Sequence, residues 1–299
     1  MTSKQKRKLT EFLFLLPTLI AFLMVIIIPF ILGVYYSFTD WQGTGAASQM
    51  VGLANYKAIL SEPGFFYSFL ITLKFTVFNI ISVNVVAFAI SLLVTSEIKG
   101  RNLYRAGFFV PNLIGGIVLG LVWQFIFSNI LPAIGEAIGW KLISKSLLSS
   151  KDSVMFTMVV VNTWQYAGYI MLIYVASIQG ISKSVMEAAV VDGASYWRRL
   201  ISIQVPLMAN AFTISLFLTL TNSFKMYDVN VALTNGGPVG IFMKKPVQAS
   251  ELLALNIYQT AFKYNNMAQG QAKAVIFFIV LTIFSIIQVS YNKKKEVEA

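Results

Sequence analysis

The 299-residue chain contains no histidine and no cysteine. Their absence removes imidazole general bases, His/Cys metal sites, haem or iron–sulfur ligation through these residues, disulfides and thiol nucleophiles. Charge is scarce as well: Asp, Glu, Lys and Arg make up 12% of the chain, against about 25% in an ordinary soluble domain. Apolar residues fill the space, at 57%, an excess that a soluble monomer of this length does not bury. Composition therefore points to a single membrane-embedded unit over residues 1–299 rather than two soluble domains. Net charge is +11, from 23 basic and 12 acidic residues. The basic residues lie mostly between apolar runs, so membrane topology accounts for them and no nucleic-acid partner is implied.

Six charge-free runs reach the roughly 20 residues that cross a bilayer: 12–39, 75–96, 106–135, 153–182, 200–224 and 274–292. They lack the polar face of a soluble core helix. The predicted fold is an all-α integral membrane protein with six transmembrane helices. Two shorter charge-free stretches, 41–56 and 229–243, are rich in Gly, Asn, Thr or Ser and read as loops. Lys and Arg set the orientation. Lys4, Lys6, Arg7 and Lys8 precede the first run; Lys99, Arg101 and Arg105 follow the second. Lys183, Arg198 and Arg199 separate the fourth from the fifth, and Lys293, Lys294 and Lys295 follow the sixth, in a tail with Glu296 and Glu298. Both termini are thus predicted to be cytoplasmic, in the cytoplasmic (inner) membrane. The first run exceeds a signal-peptide core in length and reads as a retained span, with Pro17 and Pro29 as kinks. The outside connections are expected at 40–68, 129–152 and 225–273, with a short helix near 258–262.

The most informative stretch is 184–206, SVMEAAVVDGASYWRRLISIQVP. Ser184 and Glu187 have capping-box spacing, which predicts a helix from Val185. Gly193 is placed to end it, Ser195 to cap a second helix carrying Tyr196 and Trp197, and Pro206 to open the membrane part of the fifth span. A short apolar helix on the cytoplasmic side needs burial. It either packs on its own bundle or docks into another protein.

Glu187-Ala188-Ala189, Asp192-Gly193-Ala194 and Ile203-x-Val205-Pro206 together resemble the EAA loop of ABC importer permeases. The resemblance covers nearly the whole chain and is to the maltose-type carbohydrate permeases. Phe109-Val110-Pro111, Thr163 to Gly168, Asn222 to Asp228, Leu233 to Pro238, Ile257 to Phe262 and Gly270-Gln271-Ala272 carry it. Two departures stand out: the 239–251 segment, with Lys244, Lys245 and Pro246, is longer than the family pattern, and Lys273 replaces a small residue. The resemblance implies that residues 184–206 couple to a cytoplasmic ATPase, through Glu187, Ala188, Ala189, Asp192, Gly193, Ala194, Ile203 and Pro206. It implies two ATPase subunits holding ATP and magnesium, a second and related six-span permease, and an extracytoplasmic sugar-binding protein. No Gly-Lys pair occurs in the chain, so a Walker phosphate loop is absent and ATP hydrolysis belongs to another subunit. The chain itself is predicted to be no enzyme and to hold no cofactor or metal.

A neutral sugar calls for amides, hydroxyls and aromatic platforms. Trp123, Gln124, Asn162, Trp164, Gln165, Tyr169, Thr219 and Asn222 in the third to fifth spans are the pathway candidates, though such residues also serve as interhelical hydrogen bonds. The absence of charge from the six runs argues against proton coupling and against a strongly anionic substrate. Lys225 and Asp228, three residues apart, read as an interfacial ion pair. The alternative reading is a self-sufficient secondary transporter of a small polar solute, since coupling through carbonyls and hydroxyls needs no charge.

Overall fold

The computed structural model describes residues 3–45 and 49–293. Lys294, Lys295, Glu296 and Glu298, assigned above to a cytoplasmic tail, lie outside the described residues, as does the Lys6 side chain.

Proline chemistry shapes the apolar segments. Pro29, Pro132 and Pro206 each stand two residues beyond a five-residue π-helical turn, Leu23–Ile27, Ile126–Ile130 and Leu200–Gln204. A proline ring clashes with the carbonyl four residues back and supplies no N–H. In each case the residue before the proline donates five residues back instead: Ile28 N–H to Leu23, Leu131 to Ile126, Val205 to Leu200. The wide turn keeps the ladder continuous around the proline. Pro17 is accommodated inside a regular helix.

In chain order the helices begin with α1 (Ser3–Phe22), α2 (Ile28–Tyr36) and α3 (Ala54–Leu60). Then come α4 (Pro63–Thr95), α5 (Arg101–Phe109), α6 (Gly116–Phe125), α7 (Leu131–Ile138) and α8 (Lys151–Gly180). The 184–206 stretch lies in α9 (Lys183–Val191) and α10 (Tyr196–Arg199), followed by α11 (Val205–Leu207) and α12 (Ala209–Phe224). The rest is α13 (Asp228–Leu233), an antiparallel hairpin of β1 (Val239–Phe242) and β2 (Lys245–Gln248), α14 (Leu253–Tyr258) and α15 (Met267–Lys293).

Among the described residues, five continuous helical segments are long and apolar enough to cross a membrane: Thr10–Tyr36, Pro63–Thr95, Gly116–Ile138, Lys151–Gly180 and Met267–Asn292. A sixth forms only if the bent pair Tyr196–Leu207 and Ala209–Phe224 counts as one span; its halves meet at 69°. The run 200–224 is therefore not one straight helix, because Pro206 is followed by Met208, which leaves the helical region at φ −90°, ψ 7°. The run 106–135 is likewise split. A 3₁₀ turn at Val110–Leu113, containing Pro111, and an extended Ile114 separate α5 from α6.

Other boundaries also move. Charge-free counting stopped the second span short of Lys74, yet α4 runs through Lys74 back to Pro63. The Lys74 side chain is exposed, and a long lysine carries its charge away from an apolar stem. The 129–152 connection shrinks because α7 continues to Ile138. Both stretches read as loops contain helix, α3 and α13. The hairpin is an exception to the all-α prediction. Its turn residues Met243 and Lys244 both have positive φ, 48° and 61°, without the Asn-Gly signature that announces such a turn.

The chain divides into two units. The first holds residues 1–61 and 257–278. Its apolar window in Thr10–Tyr36 is entirely unburied. Trp41 stacks on Tyr36 at 4.2 Å. Lys273 is buried and donates to Thr260 Oγ1 at 2.8 Å, so the residue that departs from the family pattern fastens α15 to the π turn Gln259–Lys263. The second unit, 62–256 and 279–299, is built on α4, α8 and α12. Its core holds two clusters, one around Phe75, Met158 and Leu233, the other around Val83, Ile170 and Tyr174. Polar side chains cross between these helices. Asn79 Nδ2 donates to Asn162 Oδ1 and to Ser223 Oγ, both at 2.8 Å. Two turns along, Tyr174 donates to Asn84 Oδ1 at 2.6 Å and lies 2.7 Å from Ser215 Oγ.

Candidate functional site

Two places in the second unit bring sequence candidates together. The first is a polar cavity of about 400 Å³ between α6, α8, α12 and α13. Its polar lining is Asn162, Gln165, Tyr166, Thr221, Asn222, Lys225, Tyr227 and Asp228. Small residues set its wall. A Cβ at Gly116 would stand 2.6 Å from Asp228 Cβ, and one at Gly120 would stand 2.6 Å from Ala232 Cβ. This Gly-x-x-x-Gly face admits α13 at backbone range and brings Asp228 to the cavity. Gln165 Nε2 donates to the Ile114 carbonyl at 3.0 Å, tying the α5–α6 elbow to α8. Asn162 joins the cavity to the buried network through Asn222 Oδ1, 3.5 Å away.

The other pathway candidates are elsewhere. Thr219 is fully buried, donates to the Ser215 carbonyl at 2.7 Å and accepts from Asn84 at 3.2 Å; its hydroxyl is an interhelical fastener. Trp123 packs edge-on against Trp164 at 5.5 Å and stacks on Phe127 at 5.2 Å. Trp164 lines a different, apolar cavity. Tyr169 packs on Tyr166 at 5.4 Å, one ring removed from the polar lining. Gln124 is exposed. Sequence reasoning read Lys225 and Asp228 as an interfacial ion pair and left them out of the pathway candidates. The helix ends at Phe224, so their spacing does not place them on one helical face, and no ion pair joins them among the described residues. Both line the cavity.

The second place is residues 184–206. The helix α9 begins two residues earlier than the capping-box spacing predicts. Ser182 is its N-cap without a side-chain bond, and Ser184 Oγ pairs with Ser182 Oγ at 2.7 Å instead; the Ser184–Glu187 box does not form. The C-terminus behaves as Gly193 requires. Gly193 has φ +74°, its N–H donates to Val190 O at 3.0 Å, and Ala194 N–H donates to Ala189 O at 2.9 Å. This pair of bonds is the Schellman closure. Ser195 Oγ accepts from Arg198 N–H at 3.4 Å and caps α10. Only Ala189 of the motif is buried; Glu187, Ala188, Asp192, Gly193 and Pro206 are exposed, and Ala194 and Ile203 are half-buried. Val191 is 87% and Trp197 67% exposed, so the bundle does not cover the apolar side of this loop.

Helices long enough to span, a bent fifth segment, a polar cavity and an uncovered apolar loop define a multi-pass membrane protein of the transport class. The chain belongs to the family described as binding-protein-dependent transport system inner membrane component, whose model matches residues 6–297. It is a permease component and not itself an enzyme. It is 42% identical over 295 residues, 98% of this chain and 97% of the relative, to the probable starch degradation products transport system permease protein AmyD of Thermoanaerobacterium thermosulfurigenes. It is 30% identical, over 95% of each chain, to the multiple sugar-binding transport system permease protein MsmF of Streptococcus mutans. Among solved structures, a bacterial ABC transporter involved in import of the acidic polysaccharide alginate has the same fold, with TM-score 0.82, 17% identity, and 97% and 96% of the two chains covered. These relationships support the importer permease over the self-sufficient secondary transporter.

Proposed function

We propose that the chain carries a neutral sugar or oligosaccharide through the polar cavity, driven by a separate ATPase that docks on residues 184–206. The observation that carries the substrate reading is the cavity lining. Amides, a hydroxyl and two phenols dominate it, and its single cation, Lys225, is matched by a single anion, Asp228. Such a surface answers sugar hydroxyls by hydrogen bonding without favouring a net charge. The names of the 42% and 30% relatives, which speak of starch degradation products and of multiple sugars, support the same class.

In this reading all six spans cross the membrane, the fifth as the bent pair, with both termini cytoplasmic. The loop's uncovered valines, Tyr196 and Trp197 meet the ATPase, Glu187 makes a polar contact with it, and ATP and magnesium bind there. The partners are a second six-span permease, two ATPases and an extracytoplasmic binding protein. The test is reconstitution of the assembly with labelled maltooligosaccharide. Asn222→Ala should cut uptake while leaving assembly intact. Glu187→Lys should abolish uptake without loss of membrane insertion. Full uptake by Asn222→Ala together with Gln165→Ala overturns the cavity assignment; full uptake by Glu187→Lys overturns the coupling role.

A further inference from the structure

The helix α5 leans on α8 unevenly. At Gly168 a Cβ would overlap the Phe108 carbonyl oxygen, so the two backbones touch there, whereas a Cβ at Gly107 would meet no atom within 4 Å. Beside the contact lies an apolar cavity of about 630 Å³ whose walls include Val86 and Ile90 of α4, Leu103 and Phe108 of α5, and Trp164 of α8. A second cavity, of about 890 Å³, follows it along the same two helices, from Thr95 and Arg101. Its charged lining is Arg101, Lys183, Arg199 and Glu187. None of the three cations forms an ion pair among the described residues. On α5, Arg101, Tyr104 and Phe108 recur at helical spacing, so the cationic mouth and the apolar wall share one face.

The depth is informative. From Thr95 to Val86 is nine residues, about 14 Å of helix, close to the roughly 15 Å of one leaflet's hydrocarbon. A cationic cavity at the cytoplasmic end, with a separate apolar one a leaflet's depth along the same helices, matches one amphipathic shape. We propose that the pair binds an anionic phospholipid of the cytoplasmic leaflet, with the phosphate held by Arg101, Lys183 and Arg199 and one acyl chain laid along Ile90, Leu103 and Phe108. Basic pockets between spans on this side of a membrane recognise such head groups. Because α9 supplies the other wall through Met186, Glu187 and Val190, the lipid would brace the loop assigned to ATPase coupling. The inference rests on the proposed orientation, which places Arg101 and Lys183 at the cytoplasmic surface.

The full chain, released from phosphatidylglycerol/phosphatidylcholine nanodiscs, is examined by native mass spectrometry. Wild type should retain phosphatidylglycerol in preference to phosphatidylcholine. Arg101→Ala should lower its retention about tenfold, the scale of one lost charge-assisted contact. Gly107→Leu should lower it by filling the apolar cavity, while Gly107→Ala, which changes helix propensity but little volume, should retain it. Equal retention of the two lipids, or unchanged retention in both Arg101→Ala and Gly107→Leu, overturns the proposal. So does a Gly107→Leu chain that keeps its lipid but no longer co-purifies with a second permease, since the apolar cavity is then a protein interface. Orientation is tested apart: with no native cysteine, a single Asp192→Cys should react with an impermeant thiol reagent only in inverted vesicles.

Discussion

Replacing Gly193 with alanine isolates backbone strain from every other effect. Gly193 sits at φ +74°, where an L-residue costs about 1–2 kcal/mol. No heavy atom lies within 4 Å of an added Cβ, so a steric clash plays no part. Alanine also restricts the unfolded chain and returns a few tenths of a kcal/mol, leaving a net cost of about 1 kcal/mol. That cost falls on the two bonds that close the helix, Gly193 N–H to Val190 O and Ala194 N–H to Ala189 O. At about 1.4 kcal/mol per factor of ten, local opening should rise about fivefold. Hydrogen exchange of a peptide covering 184–196 in the intact chain reads this directly: Gly193→Ala should speed exchange about fivefold, Gly193→Asn less, and Gly193→Val more. Identical protection in all three variants would refute the argument, because only φ distinguishes them.

Three other outcomes follow from the packing. Asn79→Ala removes the donor to both Asn162 and Ser223; at about 0.6 kcal/mol per interhelical bond in a membrane, thermal unfolding of the detergent-solubilised chain should show a loss of about 1 kcal/mol. Gly168→Ala drives a methyl into the Phe108 carbonyl and should cost about 1–3 kcal/mol in the same assay, whereas Gly107→Ala, facing open space, should be neutral or stabilising. Thr219→Val should lower the unfolding temperature and leave the KM for sugar uptake unchanged, since Thr219 bonds only Ser215 and Asn84; a raised KM would place it in the pathway.

Local chemistry was the most legible part of the sequence. Gly193 ends α9 and Ser195 caps α10 because each acts within one turn of itself. The capping box failed because it is a competition among neighbouring hydroxyls, and Ser182 began the helix first. Apolar run length located the spans but not their ends. Lys74 and Lys273 were taken as boundaries although both lie inside helices, one exposed and the other held by Thr260. Spacing alone suggested an ion pair for Lys225 and Asp228, whereas the place of Asp228 in the cavity follows from α13 packing on Gly116 and Gly120. That glycine spacing was readable in advance as a close-approach face. The hairpin was not readable, because Met243 and Lys244 occupy positive φ without glycine or asparagine.

Counted as one span, the bent pair with its 69° elbow at Met208 is a crank rather than a rod. Its outer arm, the 12 residues Tyr196–Leu207, is about 18 Å long by helical rise. Its inner arm, Ala209–Phe224, ends beside Thr221 and Asn222 of the polar cavity. A swing of about 10° around the pivot carries Tyr196 sideways by about 3 Å, with no change in the length of either arm. Met208 is fully buried, so the pivot is seated in the core; Tyr196 at one arm tip is exposed, and Phe224 at the other is packed inside. A straight span would deliver a push from the loop as sliding along the membrane normal, against the whole packed length of α4 and α8. The bend turns it into rotation about Met208, opposed by buried Leu200 in one arm and by the buried face of Ala209–Phe224 in the other.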